Sequence, residues 1–205
     1  LPNTTLPLIN QTQLHQELAL RQKQLAERRN YGRIEQVARC LHLLNDESAK
    51  PLFCEAAALH ETVFREPTSF DTLTRANLYR LGGEKHRAQR WFQATTQYVA
   101  TRLVRYPRNT TELTKAAIGW YFLGDYDRVQ ECIDQIRNDP DGAGGIEEWL
   151  TTLMQLATAP NQQQAQQFVT TIEDYIQRHQ VSFSDTGSVT IWDWYELAYR
   201  YTQQH

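Results

Sequence analysis

The 205 residues suffice for one domain, or two small ones, and for a core that needs neither disulfides nor metal to hold it. Hydrophobic residues make up 40% and charged residues 22%, an ordinary globular balance. A formal net charge of −3 argues against a general nucleic-acid binder, and the absence of any run of 18 apolar residues argues against a spanning helix.

Residues 1–11 are read as a flexible N-terminal segment: Leu1–Asn10 is apolar and uncharged but lacks the basic start and cleavage site of a signal peptide. Residues 12–205 are read as a single helical domain. The first helix is predicted over Thr12–Asn30, with Leu14, Leu18 and Leu25 on one face and Tyr31–Gly32 as its break. The second spans Arg33–Asn45, and Ile34, Val37, Leu41 and Leu44 recur at helical spacing. The third opens near Ser48, with Pro51 in its first turn, and ends before Pro67.

Helices over Phe70–Leu81 and Glu84–Tyr106 flank Gly82–Gly83, and Pro107 stops the longer one. Thr110 or Thr111 caps a helix that Gly124 ends; Tyr126–Arg137 follows. After a loop over Asn138–Gly145 come helices over Glu147–Thr158, Gln162–His179 and Ile191–Thr202. Val181–Ser182–Phe183 is the one weak strand candidate. The expected class is all-α: about ten helices, joined by short connections that favour antiparallel neighbours.

Aligning the glycine breaks exposes a repeat. Gly124 is followed at +2, +5, +9 and +12 by Tyr126, Val129, Ile133 and Ile136; Gly32 is followed by Ile34, Val37, Leu41 and Leu44. Gly83 begins a looser copy with Ala88, Phe92 and Thr95, but Lys85 at +2 departs from it. The expected reading is a left-handed glycine that closes one helix, then a stripe that packs the next against it. The stretch Leu113–Pro140, with Ala117, Trp120, Gly124, Tyr126 and Val129, resembles a tetratricopeptide (TPR) unit. Glycine separations of 51 and 41 residues rather than about 34 make the array irregular, or an irregular helical bundle.

A second resemblance rests on Arg80–Leu81–Gly82–Gly83–Glu84, on Gly124–Asp125–Tyr126–Asp127 and on the aromatic run Trp192–Tyr199. These are similar to bacterial immunity proteins of polymorphic toxin systems, of the type catalogued as immunity protein 49. That resemblance implies a non-catalytic protein that neutralises a cognate toxin by binding it, and the three sparse cysteines fit a cytoplasmic one. The TPR resemblance implies an adaptor or chaperone that takes a peptide in its groove. An enzyme whose site the sequence does not reveal is the third reading.

Charge is unevenly spread. Arg75 to Arg108 holds eight Lys/Arg against Glu84, and Asp125 to Glu148 holds eight Asp/Glu against Arg128 and Arg137. Such a dipole steers a charged partner, unless the two sections neutralise each other across a helix contact. The candidate partner-binding residues are therefore Arg80, Lys85, Arg87, Arg90 and Trp91 on the basic section. On the acidic section they are Asp125, Asp127, Glu131 and Asp134. Trp192, Trp194 and Tyr195 join them, because a helix apolar on several sides is either buried or meets a partner. Stacking of bases on Trp91 and Tyr98 is disfavoured by the acidic section.

Nothing in the sequence points to a cofactor or a metal. No H-x-x-x-H pair occurs, and Cys40-x-His42 with Cys54-x5-His60 matches no common zinc finger. Asp139-x-Asp141-Gly142 lacks the later ligands of a calcium loop. Cys40, Cys54 and Cys132 are expected as free thiols within helices.

Overall fold

The computed structural model describes residues 6–138 and 145–203. Ten helices make up its regular structure: α1 (Gln11–Glu27), α2 (Tyr31–Leu43), α3 (Ala49–Val63), α4 (Ser69–Leu81), α5 (Lys85–Arg105), α6 (Thr110–Leu123), α7 (Tyr126–Arg137), α8 (Ile146–Thr158), α9 (Gln162–His179) and α10 (Ile191–Thr202). No strand occurs among the described residues, and Val181–Phe183 is irregular. The calcium-like Asp139–Gly142 lies outside the described residues.

Local chemistry sets the helix ends. Asn10, Asn30, Asn109 and Asn161 each accept a backbone N–H of the first turn, so free donors there are satisfied. Thr68 with Asp71, and Thr190 with Asp193, form reciprocal capping boxes at α4 and α10.

Most boundaries shift by only one or two residues from the sequence reading, and the largest difference is between α1 and α2. The break between α1 and α2 falls before Asn30, so Tyr31 and Gly32 belong to the first turn of α2. Gly32 is thus not a left-handed closing glycine, whereas Gly83 (φ 81°) and Gly124 (φ 80°) are. The stripe nevertheless holds: Val37, Leu41, Ala88, Phe92, Val129 and Ile133 are all buried. Side-chain periodicity on the packed face survives a shift in where each helix begins.

The helices form two rows. α4, α6 and α8 pack on one another as well as on their chain neighbours, while α3, α5 and α7 touch only their chain neighbours. Helices α4, α6 and α8 therefore make an inner row. α4 is the most buried of the three, with every residue buried except Phe70 and Arg80. The α9–α10 hairpin then folds back across this inner row. No Cα of α10 comes within 8 Å of α2, α4 or α6, so long side chains span the gap.

The hairpin also reaches the first helix. The Glu17 carboxylate accepts the Phe183 N–H at 3.2 Å and the Ser184 N–H at 3.2 Å, together with both serine hydroxyls, Ser182 and Ser184. Burial alone would raise its pKa, and these donors lower it instead. Ahead of α1, Leu6 and Ile9 are buried and the Leu8 N–H points to the Tyr195 hydroxyl at 3.4 Å. The described part of the segment expected to be flexible is thus packed, because its apolar side chains are buried in the core.

Candidate functional site

The aromatic run of α10 is core and not surface. Trp192, Trp194 and Tyr195 are 4%, 2% and 0% exposed, which removes all three from the candidate binding patch. The cause is the position of α10 between α9 and the inner row, which covers more than one side of the helix. Trp192 Nε1 donates to the Ser182 carbonyl at 2.8 Å, and the Tyr195 hydroxyl donates to Glu173 at 2.6 Å. Trp194 stacks on Phe122 of α6 with centroids 6.5 Å apart.

Between α10 and the inner row lies a buried ionic cluster. Asp193 Oδ2 accepts Arg39 Nη1 at 3.2 Å, Asn77 Nδ2 at 3.1 Å and the Thr190 N–H at 2.8 Å. Its Oδ1 accepts Arg80 Nη2 at 2.9 Å, and Arg39 Nε also donates to Glu35 at 2.9 Å. Burial pushes the Asp193 pKa up, but the Arg39 and Arg80 guanidiniums outweigh it and hold the carboxyl below its ordinary range. Glu35 is the reverse case: burial wins over Arg39 and raises it. Beside this cluster His42 Nε2 lies 2.9 Å from Glu196, whose pKa burial would raise but whose bond to His42 brings well down.

Arg80 therefore serves the interior, with its other face on the Phe122 ring at 4.8 Å. Its place on the candidate patch falls, because a buried carboxylate already pairs it. Trp91 is half-buried, with the Arg75 guanidinium 4.6 Å above its ring. Arg75 is itself buried and donates to His60 Nδ1 at 3.2 Å.

The remaining candidates are exposed: Lys85, Arg87 and Arg90 on α5, Asp125, Asp127, Glu131 and Asp134 at or on α7. Arg87, Arg90, Ala94, Tyr98, Thr101 and Arg105 recur every three or four residues along α5, away from buried Ala88, Phe92 and Val99. Lys85, Arg87, Arg90, Arg102, Arg105 and Arg108 are all exposed, and residues 85–108 contain no acid. None of those six cations is in an ion pair among the described residues. On α7 the ion pair is internal, Arg128 with Glu131 at 3.0 Å. Among the described residues, the basic and acidic sections thus do not neutralise each other across an ion pair.

A cavity of about 510 Å³ lies among α8, α9 and the segment before α10, lined by Trp149, Tyr175, Trp194, Arg178 and Asp185. Among the described residues no group of three or more His, Cys, Asp or Glu is placed to hold a metal ion. Among those residues no helix is long and apolar enough to cross a membrane. The three cysteines are free; burial pushes the Cys40 thiol up to about 12 and the Cys132 thiol up to about 11.

No family model, curated protein or solved structure matches the chain.

Proposed function

We propose that the chain is a non-catalytic, TPR-like helical protein that binds a folded protein through the outer faces of α5 and α7. In its most specific form it is a bacterial immunity protein that neutralises a cognate toxin by direct binding. One observation carries this reading: five exposed cations along one outer helix and a sixth, Arg108, just past its end, with no acid between them and no ion pair among the described residues. Uncompensated charge of one sign on a rigid helix favours fast association with a surface of opposite sign. The exposed Asp127, Glu131 and Asp134 supply the complementary patch that a partner of mixed charge requires.

The adaptor reading asks for an open groove on the inner row. That groove holds α10, fastened through Asp193, Glu196 and Trp194, so a peptide would have to expel a helix carrying three buried aromatics. A folded partner on the outer face needs no such rearrangement, and an interface of about 1,600 Å² would suffice for specific binding.

The test is affinity capture from native lysate with the tagged chain, beside Arg87→Glu/Arg90→Glu. One stoichiometric partner, released by salt and reduced in the variant, supports the reading. Many substoichiometric proteins that share a short motif support the adaptor instead, and the absence of any partner contradicts both.

A further inference from the structure

The outer face has two ends, and they differ. Six large hydrophobic side chains are exposed among the described residues, and four of them are Val63, Phe70, Val104 and Tyr106. All four belong to one end of the array. Val63 closes α3, Phe70 opens α4, and Val104 and Tyr106 close α5. Direct contacts tie these ends together: Arg75 Nη2 of α4 donates to the Phe64 carbonyl after α3, and Lys115 of α6 donates to Ser69 Oγ at 3.0 Å.

α5 also overhangs its neighbour. Thr95 bonds Thr72 of α4 at 3.0 Å, which levels Ser69, the first residue of α4, with about residue 98 of α5. The remaining turns of α5 therefore project about 10 Å beyond α4. At the tip Val104 is 87% exposed. Arg102 and Arg105 hold their guanidiniums 5.5 and 5.7 Å from the Tyr106 ring, so two cations and an aromatic form one pre-arranged group.

Charge singles out the same end. Residues 63–70 and 102–110 carry Arg65, Arg102, Arg105 and Arg108 against one acid, Glu66. Tyrosine and arginine around an apolar centre is the composition of an interface hot spot, and since no ion pair among the described residues engages Arg102, Arg105 or Arg108, these cations are left for a partner's carboxylates.

We infer that this end, α5 from Arg102 to Arg105 with Tyr106, Arg108 and the α3–α4 turn beside it, is the docking site, and that its partner is a protein surface with an apolar centre rimmed by carboxylates. The assignment rests on the proposed function and specifies its contact. Val104 and Tyr106 would enter the partner's apolar centre, while Arg102, Arg105 and Arg108 meet its acidic rim. Lys85, Arg87 and Arg90 at the other end act in steering.

The experiment uses the full chain and two labelled peptides of equal negative charge, one with Leu and Phe among its Asp and Glu, the other with Ser in their place. Binding is read by fluorescence anisotropy. The acidic-apolar peptide is expected to bind about tenfold more tightly, the worth of one buried aliphatic side chain. That advantage disappears in Val104→Asp, all binding falls in Arg102→Glu/Arg105→Glu, and the preference persists in Arg87→Glu/Arg90→Glu. These positions are exposed, and circular dichroism checks that each variant is folded. Equal binding of the two peptides, no binding at all, or loss through Arg87 and Arg90 instead would overturn the assignment. So would tighter binding of an oligothymidylate or of phosphatidylserine vesicles through the same residues. Capture from lysate separates the two claims. A stoichiometric partner held equally by wild type and Arg102→Glu/Arg105→Glu refutes this site while the protein-binding reading stands; no captured partner refutes that reading.

Discussion

Arg39 of α2 and Asp193 of α10 meet at 3.2 Å with side chains 6% and 2% exposed, although 154 residues separate them in the chain. This pair fixes where the last helix lies on the inner row. Removing one partner of a buried ion pair strands the other charge, which costs about 3–5 kcal/mol. Asp193→Ala is therefore expected to destabilise the protein by that amount in urea unfolding. Arg128→Ala, at the exposed pair with Glu131, is expected to leave stability nearly unchanged. A loss below about 1 kcal/mol for Asp193→Ala would show that α10 is not anchored by this cluster.

Acid should loosen the molecule in two stages. Burial first, then Arg75, lowers the His60 pKa below its ordinary 6.5. Its Nδ1 accepts from Arg75 Nε, so protonation would place a second cation against a guanidinium. A histidine depressed in the folded state favours folding fully above pH 6.5 and loses that contribution as pH falls through its folded value. The depressed carboxyls of Asp193, Glu17 and Glu196 behave in the same sense at lower pH, starting below 3.8 for Asp193 and below 4.5 for the two glutamates. Urea midpoints measured from pH 8 downward should fall first below 6.5 and again below 4.5. In a folded His60→Asn variant the first decline should vanish.

Gly82 sits where the α4–α5 turn presses on α3. A Cβ there would lie 2.5 Å from Cys54 Sγ and 3.2 Å from the Lys50 carbonyl. Gly82→Ala is expected to destabilise by about 1–3 kcal/mol through overpacking. Cys54→Ala on the same background should recover part of that loss, measured as a shift of the thermal midpoint.

The thiols should be inert in the folded state. Cys40 and Cys132 are buried with raised pKa values, and burial raises Cys54 as well. Titration with a disulfide reagent at pH 8 is expected to be slow in native protein, with all three cysteines reacting at once in guanidinium. Rapid labelling of Cys40 or Cys132 in the native chain would contradict the packing of α2 and α7.

Much of the fold was legible because helix boundaries are local chemistry. Asn, Gly and Pro punctuate the chain, and the stripes through Val37, Ala88 and Val129 follow from spacing alone. The error at Tyr31–Gly32 arose from weighing a glycine above the asparagine before it, whose side chain caps α2. The burial of Trp192, Trp194 and Tyr195 was not legible, since periodicity does not say whether a helix that is apolar on several sides meets its own chain or another. The cluster around Asp193 joins residues from α2, α4 and α10 and leaves one local trace, the Thr190-x-x-Asp193 capping pattern. On α5 the charge was legible, but the exposed apolar tip was not, because it depends on α5 outrunning α4.

The most direct test of the account compares amide hydrogen exchange of the free chain with that of the complex formed with its captured partner. The account predicts new protection over residues 102–110 and 63–70, smaller changes over 85–91 and 125–134, and no change over 189–203. Protection confined to α2, α4 and α6, with faster exchange in α10, would mean that the partner enters the inner groove and expels the last helix, and the account would be wrong.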